Sequence, residues 1–141
     1  MKITAASVVR EIYGAWLAHD MDTIAGLLPE DFSHALLIPT AIHPLGGLYK
    51  GKAAMDRIRT VAADFDFLKF DASSLIAEAN RVAVEIPIHY RHRETGVQLQ
   101  TIFVDFWTFE DSRPIKLVEY HDVGRMHDFM TTVAALTEAK V

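Results

Sequence analysis

Apolar residues along the first third of the chain recur at intervals of three and four. Val8, Val9, Ile12, Tyr13, Trp16 and Leu17 share one face of a helix over residues 4–18, with Thr4 or Ser7 as its cap. A second, short helix is expected in TIAGLL (23–28), where Asp20 and Asp22 suit the positive helix start and Pro29 ends the run. Residues 32–42 are strand-like but broken by Pro39, as in an edge or bent strand. The Gly- and Pro-rich HPLGGLYKG (43–51) reads as a loop, and Ala54, Met55, Ile58, Val61, Ala62 and Phe65 repeat in the register of a third helix. Beyond residue 65 the period drops to two. Four strand-like runs, about 66–78, 81–93, 97–110 and 113–123, are divided by the turn signals AN, ETG and DS. Gly124 breaks the last run, and Met126, Phe129, Met130, Val133 and Leu136 mark a closing helix. Helices followed by a long meander predict an α+β fold, a curved antiparallel sheet covered by N-terminal helices with a C-terminal helix added.

The last hairpin decides which side chains share a face. With Asp111 and Ser112 as a two-residue turn, Glu110 faces Arg113, and continued pairing sets Val118 against Asp105, Tyr120 against Phe103 and Asp122 against Thr101. The face carrying Phe103, Asp105, Trp107, Tyr120 and Asp122 is aromatic with embedded acids, and it is assigned to the interior. Its opposite, with Ile102, Val104, Phe106, Leu117, Glu119 and His121, is assigned to the outside. A carboxylate in an aromatic interior needs a partner or a raised pKa, which suits an acid or base working near neutrality. In this register Asp105 and Asp122 stand roughly 13 Å apart, too far to share a proton, with Tyr120 between them as a relay. The plainer roles are a helix cap or an Arg125 ion pair for Asp122, and a backbone or tyrosine hydrogen bond for Asp105.

Composition narrows the chemistry. A length of 141 residues suits one domain spanning 1–141, and a half-hydrophobic, 23% charged composition suits a globular one. The absence of cysteine removes disulfides, thiolate metal sites and cysteine nucleophiles, and fits a cytoplasmic setting. A net charge of −5 without a basic run disfavours a nucleic-acid partner. No stretch approaches the roughly 18 apolar residues of a membrane span, and MKITAASVVREIYG reads as a helix rather than a signal peptide. His121-Asp122 and His127-Asp128 straddle Gly124, and His89 and His92 are crowded by Arg91 and Arg93, so no metal is expected. No nucleophile elbow or phosphate-cradling loop is present.

Four stretches together carry a family likeness: IYGAWLAHDMDTIAGLL (12–28), GLYKGKAAMDRI (47–58), FVDFWTFED (103–111) and IKLVEYHD (115–122). Their order and spacing resemble the SnoaL-like branch of the nuclear transport factor 2-like superfamily, which includes polyketide cyclases and ketosteroid isomerase. The resemblance implies a cone-shaped, barrel-like sheet and a cofactor-free isomerase, cyclase or lyase acting on an apolar carbonyl compound. It places the cyclases' acid/base on Asp122 and the isomerase's hydrogen-bonding aspartic acid on Asp105, the latter a known case of a neutral acid donating a hydrogen bond. Ile38 stands where the isomerase keeps its base, and the Arg-x-Asp of the related epoxide hydrolases is missing. The expected site therefore has Asp122, Asp105 and Tyr120 as catalytic groups and Tyr13, Trp16, Tyr49, Phe103 and Trp107 around an apolar ligand. A non-catalytic ligand-binding or dimerisation domain of the same fold is the alternative. A homodimer is expected through the outer sheet face at Ile102, Val104 and Phe106.

Overall fold

The computed structural model describes residues 3–139, so Met1, Lys2, Lys140 and Val141, the ends of the expected 1–141 domain, lie outside the described residues. Helix α1 (Ala5–Leu17) begins in a capping box that uses both candidate caps: Thr4 Oγ1 accepts from the Ser7 amide, and Ser7 Oγ accepts from the Thr4 amide. It buries Val8, Val9, Ile12, Tyr13 and Ala15. Helix α2 (Met21–Leu27) is capped by Asp20, whose carboxylate accepts from the Thr23 amide at 3.1 Å. Helix α3 (Lys52–Asp64) starts from Gly51, where φ is +58° and a Cβ would stand 2.9 Å from the Glu30 carbonyl oxygen, so only glycine fits.

Seven strands follow one another as β1 (Ser33–Leu36), β2 (Gly47–Lys50), β3 (Phe65–Phe70), β4 (Ser74–Glu78), β5 (Arg81–His92), β6 (Gln98–Glu110) and β7 (Arg113–Tyr120), before helix α4 (Val123–Ala139). The sheet order is β2-β1-β7-β6-β5-β3, with β4 also on β5, and the sheet is curved and unclosed. All pairings are antiparallel except β1 with β7, which is parallel. This is the expected α+β architecture, with local differences. The loop read at 43–51 ends in β2, and β1 stops at Leu36, three residues before the turn headed by Pro39. The run read at 66–78 is two strands, parted where Asp71 accepts from the Ser73 amide. Along β5, Val82, Val84, Ile86, Ile88 and Tyr90 alternate into the core, each contributing about 1.5–3 kcal/mol by burial. Helix α4 covers one end of this core, its Phe129 ring stacked 5.4 Å from Tyr90.

The β6–β7 hairpin departs from the expected register. Asp111 and Ser112 both have positive φ, 50° and 63°, and form the two-residue turn; Glu110 pairs with Arg113 and Phe109 with Pro114. Thr108 then pairs with Lys116, so Ile115 is passed over in a β-bulge. The extra residue exchanges the two faces of β7 while leaving those of β6 as expected. Phe103, Asp105, Trp107 and Phe109 are buried, but Leu117 and Glu119, not Val118 and Tyr120, join them inside. Tyr120 lies opposite Val104 on the outer face, 48% exposed.

Candidate active site

One cavity opens between α1, α2, α3 and the inner face of the sheet, with an empty volume of about 690 Å³ including its mouth. Tyr13, Trp16, Phe103, Asp105 and Trp107 line it, as the sequence suggested, together with Ile12, Ile24, Phe67, Phe70 and Leu117. Into this apolar space the elements also deliver His34 from β1, Arg57 from α3 and Glu119 from β7.

A chain of donors runs along one wall. Trp107 Nε1–H donates to the Tyr13 hydroxyl at 2.9 Å, and that hydroxyl donates to Asp105 Oδ2 at 2.6 Å. Tyr13 has thus spent its proton on Asp105, while Asp105 Oδ1 is buried with no hydrogen-bond partner among the described residues. Glu119 is the residue directly opposite Asp105, which puts their Cβ atoms about 4.5–5.5 Å apart. Its Oε2 lies 2.9 Å from His121 Nε2, and the His121 ring rests 4.0 Å from that of Phe103. Arg57 is sealed in by its donations to the carbonyls of Leu45, Gly47 and His34, and lies over the Tyr49 ring at 4.0 Å. Tyr49 therefore backs Arg57 and is not itself part of the cavity wall.

The two acids titrate as a pair. Burial, reinforced by the facing Glu119 carboxylate, holds the Asp105 carboxyl well above the usual range. Burial also raises Glu119, but its close neighbour Asp105 and the Arg57 guanidinium pull it back. Its apolar surroundings and the facing carboxylate therefore favour the neutral form of Asp105, and the close neighbour of Glu119 Oε2 is His121 Nε2. Burial pushes His34 down to about 3 and His121 to about 4, so both rings are neutral. The arrangement is two facing carboxyl groups in a largely apolar cavity, with Asp105 pushed toward its neutral form.

The face exchange corrects the assignments of Asp122, Tyr120, Glu119 and His121. Asp122 lies beyond β7 in solvent, where its Oδ1 accepts from the Arg125 amide at 3.0 Å and its Oδ2 pairs with Arg125 Nε at 3.3 Å. It caps α4, the plainer of the roles considered for it. Tyr120 points away from the cavity for the reason given above. Glu119 and His121, assigned outward, have their side chains inside. His34 and Arg57 were overlooked, although His34 alternates with Phe32 and Leu36, and Arg57 falls in register with Ala54, Ile58 and Val61. Among the described residues, no group of three or more His, Asp or Glu is placed to hold a metal ion, and no helix is long and apolar enough to cross a membrane.

Residues 9–120 match the family of SnoaL-like domains. No curated protein matches the sequence. Among solved structures, a protein of Rhodopseudomonas palustris provisionally named an isomerase is similar at 16% identity with a TM-score of 0.79, covering 94% of this chain and 99% of its own. A nuclear transport factor 2-like protein of unknown function from Burkholderia pseudomallei is 22% identical with a TM-score of 0.79, over 93% and 99% of the two chains. A provisionally named polyketide cyclase of Xanthomonas campestris pv. campestris is 18% identical with a TM-score of 0.72, over 89% and 96%. At these identities the likeness is one of fold.

Proposed function

The chain belongs to the SnoaL-like domain family, and from that membership together with its buried acid pair we propose that it is a small-molecule isomerase or cyclase acting next to a carbonyl group. The observation that carries this reading is the Asp105–Glu119 pair inside a largely apolar cavity. The ionised Glu119 takes a proton from the carbon beside the carbonyl. The C–H electron pair moves into the new C=C bond, and the carbonyl oxygen becomes an enolate oxygen. Asp105 Oδ1–H donates to that oxygen, with the Trp107–Tyr13 chain fixing the acid from behind. The proton on Glu119 then returns to a second carbon of the conjugated system, giving an isomer. In a cyclase, the enolate carbon attacks a second carbonyl and the new alkoxide takes the proton. Asp122, exposed and engaged with Arg125, has no part in this route.

The apolar wall also favours a second reading, a binder that holds a hydrophobic molecule without turnover. Proton exchange separates the two. Cyclic ketones such as 1-tetralone are incubated with the protein in heavy water, and deuterium gain beside the carbonyl is followed by NMR. Exchange above buffer that falls about 10²–10⁴-fold in Glu119→Gln supports the enzyme. Saturable binding without exchange sinks it and leaves the binder.

A further inference from the structure

His34 is a polar group in the cavity that this acid–base route does not use. It points inward from β1, beside Leu117 in the parallel pairing with β7 and diagonal to Glu119. It is 5% exposed, and neither ring nitrogen has a hydrogen-bond partner among the described residues. Glu119 Oε1 is 4.0 Å from its Nε2, beyond hydrogen-bond range. The backbone at His34 is tied down, since its carbonyl accepts from Arg57. Burial, aided by the nearby Arg57 charge, keeps the ring neutral. A neutral imidazole has one N–H to give and one bare nitrogen to fill, and burying both unmet is costly. If packing against Phe32 were its purpose, a phenylalanine would serve without that cost.

Resting on the acid–base reading above, we propose that His34 binds a second, uncharged oxygen of the ligand, a hydroxyl or a carbonyl. β6, β7 and β1 are consecutive in the sheet, so Asp105 and His34 stand on either side of Glu119, their backbones two strands across and two residues along, or roughly 11–12 Å apart. The ligand is then a neutral apolar molecule with two oxygen functions, one on Asp105 Oδ1–H and one on the imidazole. An anionic group is not called for. Arg57 lies within the field of Glu119 and its two terminal nitrogens already donate to three carbonyls, leaving only Nε without a partner among the described residues.

The test compares 2-naphthol with 2,6- and 2,7-dihydroxynaphthalene by fluorescence titration of the wild type, His34→Phe, His34→Gln and Asp105→Leu. The second hydroxyl of at least one diol is expected to tighten binding to the wild type about three- to tenfold over 2-naphthol. His34→Phe is expected to erase that gain while keeping 2-naphthol affinity and melting at or above the wild-type temperature. His34→Gln, with one donor and one acceptor, is expected to retain part of it. A diol preference that persists in His34→Phe overturns the proposal. So does a His34→Phe protein that melts several degrees lower and loses 2-naphthol as well, because that marks a structural ring. If 2-naphthol binds and Asp105→Leu weakens it but no diol is preferred, only the His34 proposal falls. If 2-naphthol does not bind the wild type at all, the acid–base reading of the cavity falls with it.

Discussion

Asp105 and Glu119 are chemically alike, and their surroundings alone divide the roles. Asp105 is 3% exposed, takes its one close hydrogen bond from Tyr13 and faces another carboxylate; Glu119 has His121 at 2.9 Å and the field of Arg57. An acid whose folded-state pKa is raised favours the fold fully below its unfolded pKa, and that benefit is lost as pH rises through the folded value. Asp105→Asn removes the titration while keeping an oxygen for Tyr13 and an N–H in place of the acid proton. The expected outcome is a melting temperature above wild type in mildly alkaline buffer, with the gap closing toward pH 4, measured by calorimetry across that range. For ketone exchange, the same substitution is expected to cost much less than Glu119→Gln. A loss as large as that of Glu119→Gln would mean that Asp105 works ionised.

At the scale of elements, the sequence was legible wherever structure is local. Helix periods, the DS turn and the alternation of β6 all follow from near neighbours, which is why Asp105, Trp107 and Phe103 were correctly placed inside. The bulge at Ile115 depends on how two strands share hydrogen bonds, which no single stretch of sequence spells out. That single residue reversed Glu119, Tyr120 and the residues after them. The link from Tyr13 to Asp105 joins α1 to β6 and has no counterpart in any short stretch of sequence. Asp122 offers a check on the corrected reading. Asp122→Ala is expected to cost about 0.5–2 kcal/mol as a lost helix cap, lowering the melting temperature by a few degrees, with proton exchange unchanged. Thermal melting beside exchange rates measures both, and an exchange rate that collapses would restore Asp122 to the chemistry.

For the whole molecule, the outer face of the sheet carries a band of exposed apolar side chains. Ile76 is 74% and Ile102 50% exposed, and an apolar band runs through Ala83, Phe106 and Val118, with Val104 and Tyr120 paired beside it. Contiguous exposed apolar surface of this kind marks an association site. A homodimer in light scattering at micromolar concentration is the expected result, with Ile102→Glu shifting it to monomer; a monomeric wild type would sink the idea. The parallel pairing of β1 with β7 has a different consequence, in time rather than space. β5, β6 and β7 meet through short turns, whereas His34 finds Leu117 only across more than half of the chain. Closing so long a loop is entropically slow, so the hairpins are expected to nucleate folding and β1 to dock late. Substitutions in β1 should then hasten unfolding more than they delay folding, whereas those around the DS turn should do the reverse. The cavity, walled on one side by β1 and on the other by β6 and β7, comes into being with that last docking step.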